Sequence, residues 1–455
     1  MKLSKLATFS VPILLSLGIL VICYPGFMSY DSIRMLEEAR SSVRGGIFPA
    51  APVYILRLFD ITGHGLPLML QAQNFITLLS LALILRMIGA GLITSVISIL
   101  SVVMMPTVIG CMLVLWKDVT LTSLMMFSVT MIFWASQEEN KDIYYQVAKW
   151  ASLLLLIVGT WIRLNAITST VILVSYWLIV FCKSQGWKVR AVIFISIVIC
   201  MVASNKVINT YGFPSFHKLE SNNIVLAIIG VDLIGISGWS RVSLVPINSA
   251  ESVSLPKIPI SDIDRIYSSL GGQAMKAQNR SLGNIVTINP MKLGRTEVVN
   301  AWLAAITDHP IAYMRFRWDL FSEIIGAKNH ATYEPTHFNR IDKNPFGIEF
   351  QDRRITNITL EYIRLASNSF LGKPWFIFLL SSLSVFFTFR NSFIRREFKI
   401  FSYCSYVAAL LYILPFLIIS GTGEVRYCFP SIVLCSNSIF IWIFLRKQKH
   451  QDANV

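Results

Sequence analysis

The amino-acid sequence predicts an all-α membrane protein that crosses the bilayer about ten times. Of the 455 residues, 54% are hydrophobic and 14% are charged, and the mean hydropathy is +0.60. A soluble domain carries about 25% charged residues, so the deficit of charge is large. The apolar residues also form blocks of roughly 17–23 residues, the length that a helix needs to cross a bilayer. The sequence therefore predicts a polytopic membrane protein.

Ten apolar blocks give the predicted spans. They lie at about residues 8–27, 67–86, 92–110, 113–135, 147–163, 166–182, 190–206, 374–390, 401–420 and 428–445. No small-x-small cleavage site follows the first block, so we expect an uncleaved signal anchor. A further apolar stretch, at about 224–236, is short for a span and contains Asp232. We expect a re-entrant or buried helix there.

The basic residues between the blocks predict the orientation. Placing the N-terminus in the cytoplasm also puts these basic residues inside: Arg86, Lys141, Lys183, Lys188, Arg190, Arg390, Arg395, Arg396 and Lys399. The short outer connections contain only Arg163 and Arg426. By the positive-inside rule, both termini face the cytoplasm. Residues 28–66 then form an outer loop, and 207–372 form an outer α-rich domain between a seven-helix module at 1–206 and a three-helix module at 373–455.

The formal charge of +15 does not indicate a nucleic-acid partner. The basic residues alternate with apolar blocks instead of gathering on one soluble face, a pattern typical of orientation and of contact with a lipid bilayer. The seven cysteines contain no CxxC spacing, so neither a zinc site nor a disulfide framework is indicated. No cluster of carboxylates and histidines is visible, so we expect no obligatory metal and no other cofactor, and a divalent cation remains an open alternative.

A carboxylate follows the first predicted span directly. Asp31 begins a stretch, 32–44, whose apolar residues have helical spacing, which predicts an amphipathic helix at the outer surface. Asp31 has two interpretations that are compatible with each other: a functional carboxylate at the membrane face, or the N-cap of this helix.

Three further connections place charge at the same predicted face. Lys117 and Asp118 precede the fourth span, either as a site or as a plain snorkelling pair. Arg163 and Asn165 lie in the turn between the fifth and sixth spans. An arginine in such a turn suggests an anion site, but the same sequence is also compatible with an arginine that faces solvent.

The last outer turn contains Arg426 and Tyr427, with Glu424 as a simple alternative partner for Arg426. Together with Asp31, these turns predict one cavity with several cations and one or two carboxylates. Such a cavity suits a lipid that carries a phosphate.

These features resemble the GT-C superfamily of bacterial membrane glycosyltransferases. One branch of this superfamily has similar short sequence motifs in the same order. In this chain they are matched by residues 24–32 (YPGFMSYDS), 116–118 (WKD), 163–165 (RLN) and 426–430 (RYCFP). The outer region adds DLIGIS at 232–237 and a pattern with Trp302, His309, Tyr313 and Arg317. The chain departs from the family in two places. FPAAP stands where His-Pro-Pro is common, and the usual acidic pair is a single Asp31. The absence of the word WWD argues against protein N-glycosylation.

The resemblance implies an enzyme of the bacterial inner membrane that uses a polyprenyl-phosphate sugar and glycosylates an acceptor such as O-antigen in lipopolysaccharide. Asp31 would be the general base, with a pKa raised by partial desolvation. Lys117, Arg163 and Arg426 would stabilise the phosphate, and Asp118 would orient Lys117 or hold a divalent ion. The predicted substrate-binding residues that complete the set are Asn165, Tyr427, Asp232, His309 and Arg317.

Two other functions are open at this point. An O-antigen polymerase or ligase also handles lipid-linked sugars and has large outer loops. A lipid or polysaccharide flippase or transporter would explain many helices and a cationic cavity, but not readily the long outer region. The amphipathic helix headed by an aspartate favours the GT-C interpretation.

Overall fold

The computed structural model describes residues 5–41, 43–44, 48–211, 217–218, 224–244, 295–328 and 334–452. Apart from one parallel pair of two-residue strands, β1 (Val43–Arg44) and β2 (His217–Lys218), the regular structure in these ranges is helical. The all-α prediction is therefore confirmed. The chain forms two compact units: unit 1 comprises Met1–Leu219, Pro335–Ile413 and Arg426–Val455, and unit 2 comprises Glu220–Glu334 and Leu414–Val425.

Unit 1 contains most of the apolar helices. Its first part comprises α1 (Lys5–Cys23), α2 (Tyr30–Ser41), α3 (Ala50–Asp60), α4 (Gly65–Met87), α5 (Leu92–Val103), α6 (Pro106–Met112), α7 (Lys117–Gln137), α8 (Ile143–Ile162), α9 (Ala166–Phe181) and α10 (Trp187–Tyr211). Unit 2 contributes α11 (Ile224–Ser240), α12 (Arg295–Asp308) and α13 (Pro310–Ile324). Unit 1 then resumes with α14 (Arg354–Ser367), α15 (Pro374–Arg390), α16 (Arg396–Ile413) and α17 (Phe429–Asp452).

Seven described helices are long and apolar enough to cross a membrane. They are Leu6–Cys23, Gly65–Met87, Lys117–Gln137, Ile143–Ile162, Trp187–Tyr211, Arg396–Leu417 and Val425–Leu445. Two further predicted spans, α9 and α15, are apolar helices of 16 and 17 residues. The architecture is that of a helical membrane protein; the count of ten spans and the orientation stay predictions.

The predicted third span is broken. Instead of one helix over 92–110, α5 and α6 meet at an angle of 82°. Pro106 is the first residue of α6, and a proline there cannot donate the hydrogen bond that would continue α5. The fourth span also begins later than predicted, at Lys117, because residues 113–116 pair with another segment of unit 1.

Small polar side chains join the helices of unit 1. The Thr120 hydroxyl donates to Gln73 Oε1 (2.9 Å), linking α7 to α4. Ser431 and Ser438 on α17 donate to backbone carbonyls of α16 at 2.7 and 2.8 Å. Hydroxyls of this size let helix backbones approach closely in an apolar environment. These three hydroxyls therefore join neighbouring helices of unit 1, whereas Thr77, Thr122 and Thr130 donate to carbonyls of their own helices.

Unit 2 has its own apolar core. The buried side chains of α11 pack with those of α12 and α13, in a cluster formed by Ile229, Val231, Leu233, Ile234, Ile236, Val298, Ala305, Ala312, Phe316 and Leu320. A Cβ atom built on Gly235 would lie 2.2 Å from the Phe316 ring, so only glycine fits against that ring. The stretch at 224–236 is thus part of a helix whose residues 229–236 are buried within unit 2.

The compact units do not follow the predicted domain boundaries. Residues 335–372, which were expected in the outer domain, group with unit 1. The Thr336 hydroxyl donates to the carbonyl of Gly110 (2.8 Å), and Ile341 pairs with Met28 in a parallel bridge. These long-range backbone contacts have no periodic signature in the sequence, so the grouping could not be read from hydropathy.

Candidate functional site

An extended segment after α1 positions the first carboxylate. Phe27 N donates to the Leu113 carbonyl (2.9 Å), and Leu115 N donates to the Phe27 carbonyl (3.0 Å). On the other side, Met28 N donates to the Arg340 carbonyl (2.8 Å). The chain after α1 is therefore held between two other segments of unit 1. This arrangement fixes the start of α2 beside the start of α7.

Asp31 lies in the first turn of α2 and is ion-paired across unit 1. Its Oδ2 accepts a hydrogen bond from Nη2 of Arg426 (2.7 Å). Since α2 begins at Tyr30, Asp31 is inside the helix and not at the N-cap position that was one interpretation of the sequence. The helix is also less exposed than the predicted amphipathic helix at the outer surface, because even the charged side chain of Glu38 is buried.

A second ion pair lies at the start of α7. Asp118 is fully buried, and its Oδ1 accepts hydrogen bonds from Nη1 of Arg163 and from the Tyr412 hydroxyl (3.3 Å). Asp118 Oδ2 is buried and has no hydrogen-bond partner among the described residues. Asp118 therefore bonds to Arg163 and Tyr412, whereas a plain snorkelling pair would join it to Lys117.

Aromatic rings lie against all three cations. The Lys117 ammonium is 4.9 Å from the centre of the Phe48 ring, and Arg426 is 5.0 Å from the centre of the Trp116 ring. Tyr427 lies under both arginines, with Arg163 at 4.4 Å and Arg426 at 5.6 Å from its ring centre. Rings in these positions stabilise cations without neutralising them, so all three side chains remain cations.

The cations also control the ionisation of Asp31. Burial alone would raise the pKa of the Asp31 carboxyl, but the positive charges of Arg426, Lys117 and Arg163 outweigh burial and hold the pKa below its ordinary value. The prediction of a raised pKa is wrong. It counted desolvation and left out the three cations.

Six of the predicted site residues lie together in unit 1: Asp31, Lys117, Asp118, Arg163, Arg426 and Tyr427. Asn165 is close to them in sequence, at the position before α9, and its carbonyl accepts from the Thr168 hydroxyl (2.8 Å). In this cluster the cations of Lys117, Arg163 and Arg426 act on the carboxylate of Asp31, and Arg163 also bonds to Asp118. The cluster lies where α1 and α8 end and where α7 and α9 begin.

Three predicted residues belong to unit 2. Asp232 Oδ2 accepts from Arg317 Nη2 (2.6 Å) and from Trp302 Nε1 (2.8 Å), and Arg317 Nη1 donates to the Ser420 carbonyl (2.8 Å). Burial raises the pKa of Asp232 to about 6, although Arg317 and Trp302 act in the opposite direction. His309 lies between α12 and α13 and is half-buried. The arrangement of Asp232 and Arg317 is an internal ion pair of a core.

Several contributors to the cluster were not predicted as site residues. Trp116 donates from Nε1 to the Ser29 hydroxyl (2.9 Å) while Arg426 lies over its ring. Tyr412 and Phe48 contact Asp118 and Lys117 respectively. Trp116 is part of the WKD motif, so the sequence could have predicted it as a site residue. Tyr412 lies within an apolar helix and gave none.

The fold and the cluster together define a class: a helical membrane protein with buried, ring-supported ion pairs at one end of its apolar helices. No family model matches the chain, and neither a curated protein nor a solved structure matches it. Within the described ranges, no three histidine, cysteine or carboxylate side chains are grouped so that they could hold a metal ion.

Proposed function

We propose that the protein is a membrane glycosyltransferase that moves a sugar from a polyprenyl-phosphate donor to a glycan or lipid-linked acceptor, such as O-antigen, at the periplasmic face of the bacterial inner membrane. The observation that carries the proposal is the cluster of Lys117, Arg163 and Arg426 around two carboxylates. A site with three cations and little access to water favours a phosphate diester, and planar arginines suit its oxygens.

The reaction in this proposal breaks the bond between the anomeric carbon and the phosphate oxygen. The phosphate leaves with the bonding electrons and remains on the polyprenyl chain, while the acceptor oxygen forms the new bond to the anomeric carbon. The acceptor hydroxyl gives its proton to the Asp31 carboxylate. Arg163, Arg426 and Lys117 stabilise the charge that grows on the leaving phosphate, and their preorganisation is the main source of rate.

Asp31 suits the role of base because it is ionised before the substrate arrives. Its lowered pKa keeps the carboxylate deprotonated at neutral pH, although a low pKa also makes a weak base. A bound donor phosphate would compete with Asp31 for Arg426 and Lys117. As those charges turn to the phosphate, the pKa of Asp31 rises, so donor binding itself strengthens the base.

The second carboxylate supports the proposal in another way. Asp118 Oδ2 is buried without a hydrogen-bond partner in the described part of the chain. A buried carboxylate oxygen in that condition is costly unless a donor reaches it. A hydroxyl of the sugar or an ordered water would satisfy it, so Asp118 is assigned to substrate binding.

The proposal is tested with the full chain reconstituted in liposomes. A panel of polyprenyl phosphates carrying radiolabelled hexoses is supplied with lipopolysaccharide as the acceptor, and transfer of label is measured. We expect transfer from at least one donor, and a loss of at least about a hundredfold in Arg163→Ala. The glycan structures of cells with and without the gene identify the natural product.

The competing functions give other outcomes in the same assay. Movement of intact labelled lipid across the bilayer without cleavage would indicate a flippase. Transfer of a whole oligosaccharide from a diphosphate carrier, with no transfer from the monophosphate hexoses, would indicate a polymerase or ligase. Either result would reject the proposed glycosyltransferase.

A further inference from the structure

Helix α14 of unit 1 has three distinct faces along its 14 residues. One face is buried against the rest of unit 1 and contains Thr356, Thr359, Leu360, Ile363 and Ser367. A second face is polar, with Arg354, Glu361 and Arg364 exposed and an ion pair of 3.0 Å between Arg364 and Glu361. A helix that only needed to cover a protein core would be polar on all the rest of its surface.

The third face is apolar and exposed. Ile355, Ile358 and Leu365 are 45%, 56% and 64% exposed. With Tyr362, they follow the spacing i, i+3, i+7 and i+10, which places them along one side of the helix. The helix therefore has a second apolar stripe that no described side chain covers.

Three anchors place α14 at the ends of apolar helices. Arg353 Nη1, just before the helix, donates to the Val21 carbonyl at the C-terminal end of α1 (3.0 Å). The Thr356 hydroxyl donates to the neighbouring Ile22 carbonyl. The Tyr362 hydroxyl donates to the Met104 carbonyl, at the break between α5 and α6. These contacts hold α14 at the level where α1 and α5 end.

The chain after α14 continues the apolar surface towards the next apolar helix. In the short turn Phe370–Gly372, Phe370 and Leu371 are 57% and 55% exposed. Phe370 packs edge-on against Phe376 of α15, with ring centres 5.2 Å apart. The exposed stripe is thus continuous with a helix whose apolar surface suits the bilayer interior.

We propose that α14 and the turn after it lie in the plane of the membrane boundary, with the stripe of Ile355, Ile358 and Leu365 against lipid chains. An apolar stripe exposed to water would lose stabilisation that contact with lipid provides. The polar face then meets the headgroups, where Arg354 and Arg364 suit lipid phosphates. The occupant is lipid of the membrane leaflet nearest the ends of α1 and α5, and the inference is independent of the transferase activity.

The test measures which solvent reaches each face. Single cysteines at Ile358 and Leu365, and a control at Glu361 on the polar face, are introduced into the full chain with Cys200→Ser, since Cys200 is an exposed native cysteine. Each variant receives a nitroxide spin label in lipid nanodiscs. Collision with apolar oxygen is compared with collision with a water-soluble nickel chelate.

We expect oxygen to dominate at positions 358 and 365 by severalfold, and the nickel chelate to dominate at position 361. Preferential access of the nickel chelate to 358 and 365 would overturn the inference, because the stripe would then face water. Low access of both reagents would also overturn it and would indicate cover by protein, such as a second copy. A label at Ile355 repeats the measurement if one of the first two variants does not fold.

Discussion

Asp31 and Arg426 are 395 residues apart in sequence, and their side chains are joined by a hydrogen bond of 2.7 Å. The bond connects the first turn of α2 to the short helical turn Val425–Cys428 that precedes α17. Arg426 also lies over the Trp116 ring, whose Nε1 donates to Ser29 two residues before Asp31. The carboxylate, the guanidinium and the ring are therefore fixed together, which makes this pair the place where substitutions are most informative.

Asp31→Asn should abolish most transfer activity. The amide has almost the same shape as the carboxylate, and it still accepts a hydrogen bond from Arg426, but it cannot take a proton from a hydroxyl. We expect a loss of about a hundredfold or more, measured as glycan transfer at matched protein levels. Glu37→Gln is the matched control, because Glu37 lies on the same helix and forms a partly exposed pair with Arg34 (2.5 Å) three residues before it. An active Asp31→Asn variant would remove Asp31 as the base.

Arg163 should be irreplaceable by lysine. Arg163→Lys keeps the charge but loses the planar group that bonds to Asp118 and lies over Tyr427. We expect little recovery of activity compared with Arg163→Ala. Arg86→Gln serves as the control, because Arg86 lies in the last turn of α4 and is not part of the cluster. Full activity of the lysine variant would show that a single point charge is enough.

The ion pair of Arg163 and Asp118 should show strong coupling in unfolding experiments. Arg163→Ala leaves a buried carboxylate without its cation, at a cost of about 3–5 kcal/mol. The double variant Asp118→Asn with Arg163→Ala should recover much of that loss in thermal unfolding while remaining inactive. If the losses of stability in the two single variants simply add in the double variant, the two side chains are not energetically coupled, and the prediction is wrong.

The pH dependence of activity should lack an acidic limb from Asp31 between about pH 5 and 7, because its pKa lies below the ordinary value of 3.8. The stabilisation from the pair with Arg426 is present above that ordinary value and is lost as pH falls through the lower folded-state pKa. Arg426→Gln removes the largest opposing charge, so burial then raises the pKa of Asp31 and an acidic limb should move to higher pH. A profile of kcat/KM against pH that is the same in both proteins would contradict the assignment.

Gly235→Ala should destabilise unit 2. The added methyl would overlap the Phe316 ring at 2.2–2.4 Å, and overpacking of this kind costs about 1–3 kcal/mol. Gly18→Ala is the control, because nothing lies within 4 Å of a Cβ at that helical position. Limited proteolysis and thermal unfolding should separate the two variants. Equal stability would mean that α11 and α13 can move apart without loss.

The predicted topology is tested by cysteine labelling. A cysteine at Ser215, which lies outside the described residues, should react with a membrane-impermeant reagent in cells whose outer membrane has been opened, and one at Ser392 should not. The expectation follows from the basic residues near position 392, which favour the cytoplasmic side. Labelling of position 392 from outside would reverse the orientation of the last helices.

Much of the helical framework was predictable because membrane-length apolar blocks have few alternative folds. The gathering of Asp31, Asp118, Arg163 and Arg426 was also predictable, since alternating spans bring every second connection to one side. The choice of partners was not predictable. Sequence proximity favoured Lys117 for Asp118 and Glu424 for Arg426, whereas the observed bonds join residues that only tertiary packing brings together.

Pro106 marks the break between α5 and α6, but the apolar residues on both sides of it form one continuous block. Hydropathy alone therefore predicted a single helix, because it contains no information about the angle between two helical segments. The pairing of Met28 with Ile341 had no visible signal at all. It depends on backbone groups in irregular segments, and their hydrogen bonds leave no pattern in side-chain type.

Tyr427 supports two guanidinium groups with one ring, Arg163 at 4.4 Å and Arg426 at 5.6 Å from its centre. Each guanidinium is bonded to a different carboxylate, Asp118 or Asp31. Removing either arginine changes the electrostatic environment of the Tyr427 ring, which also contacts the other arginine. The two ion pairs therefore share one aromatic ring, so a substitution of Tyr427 should disturb both pairs at once, whereas a substitution of one aspartate removes only one of them directly.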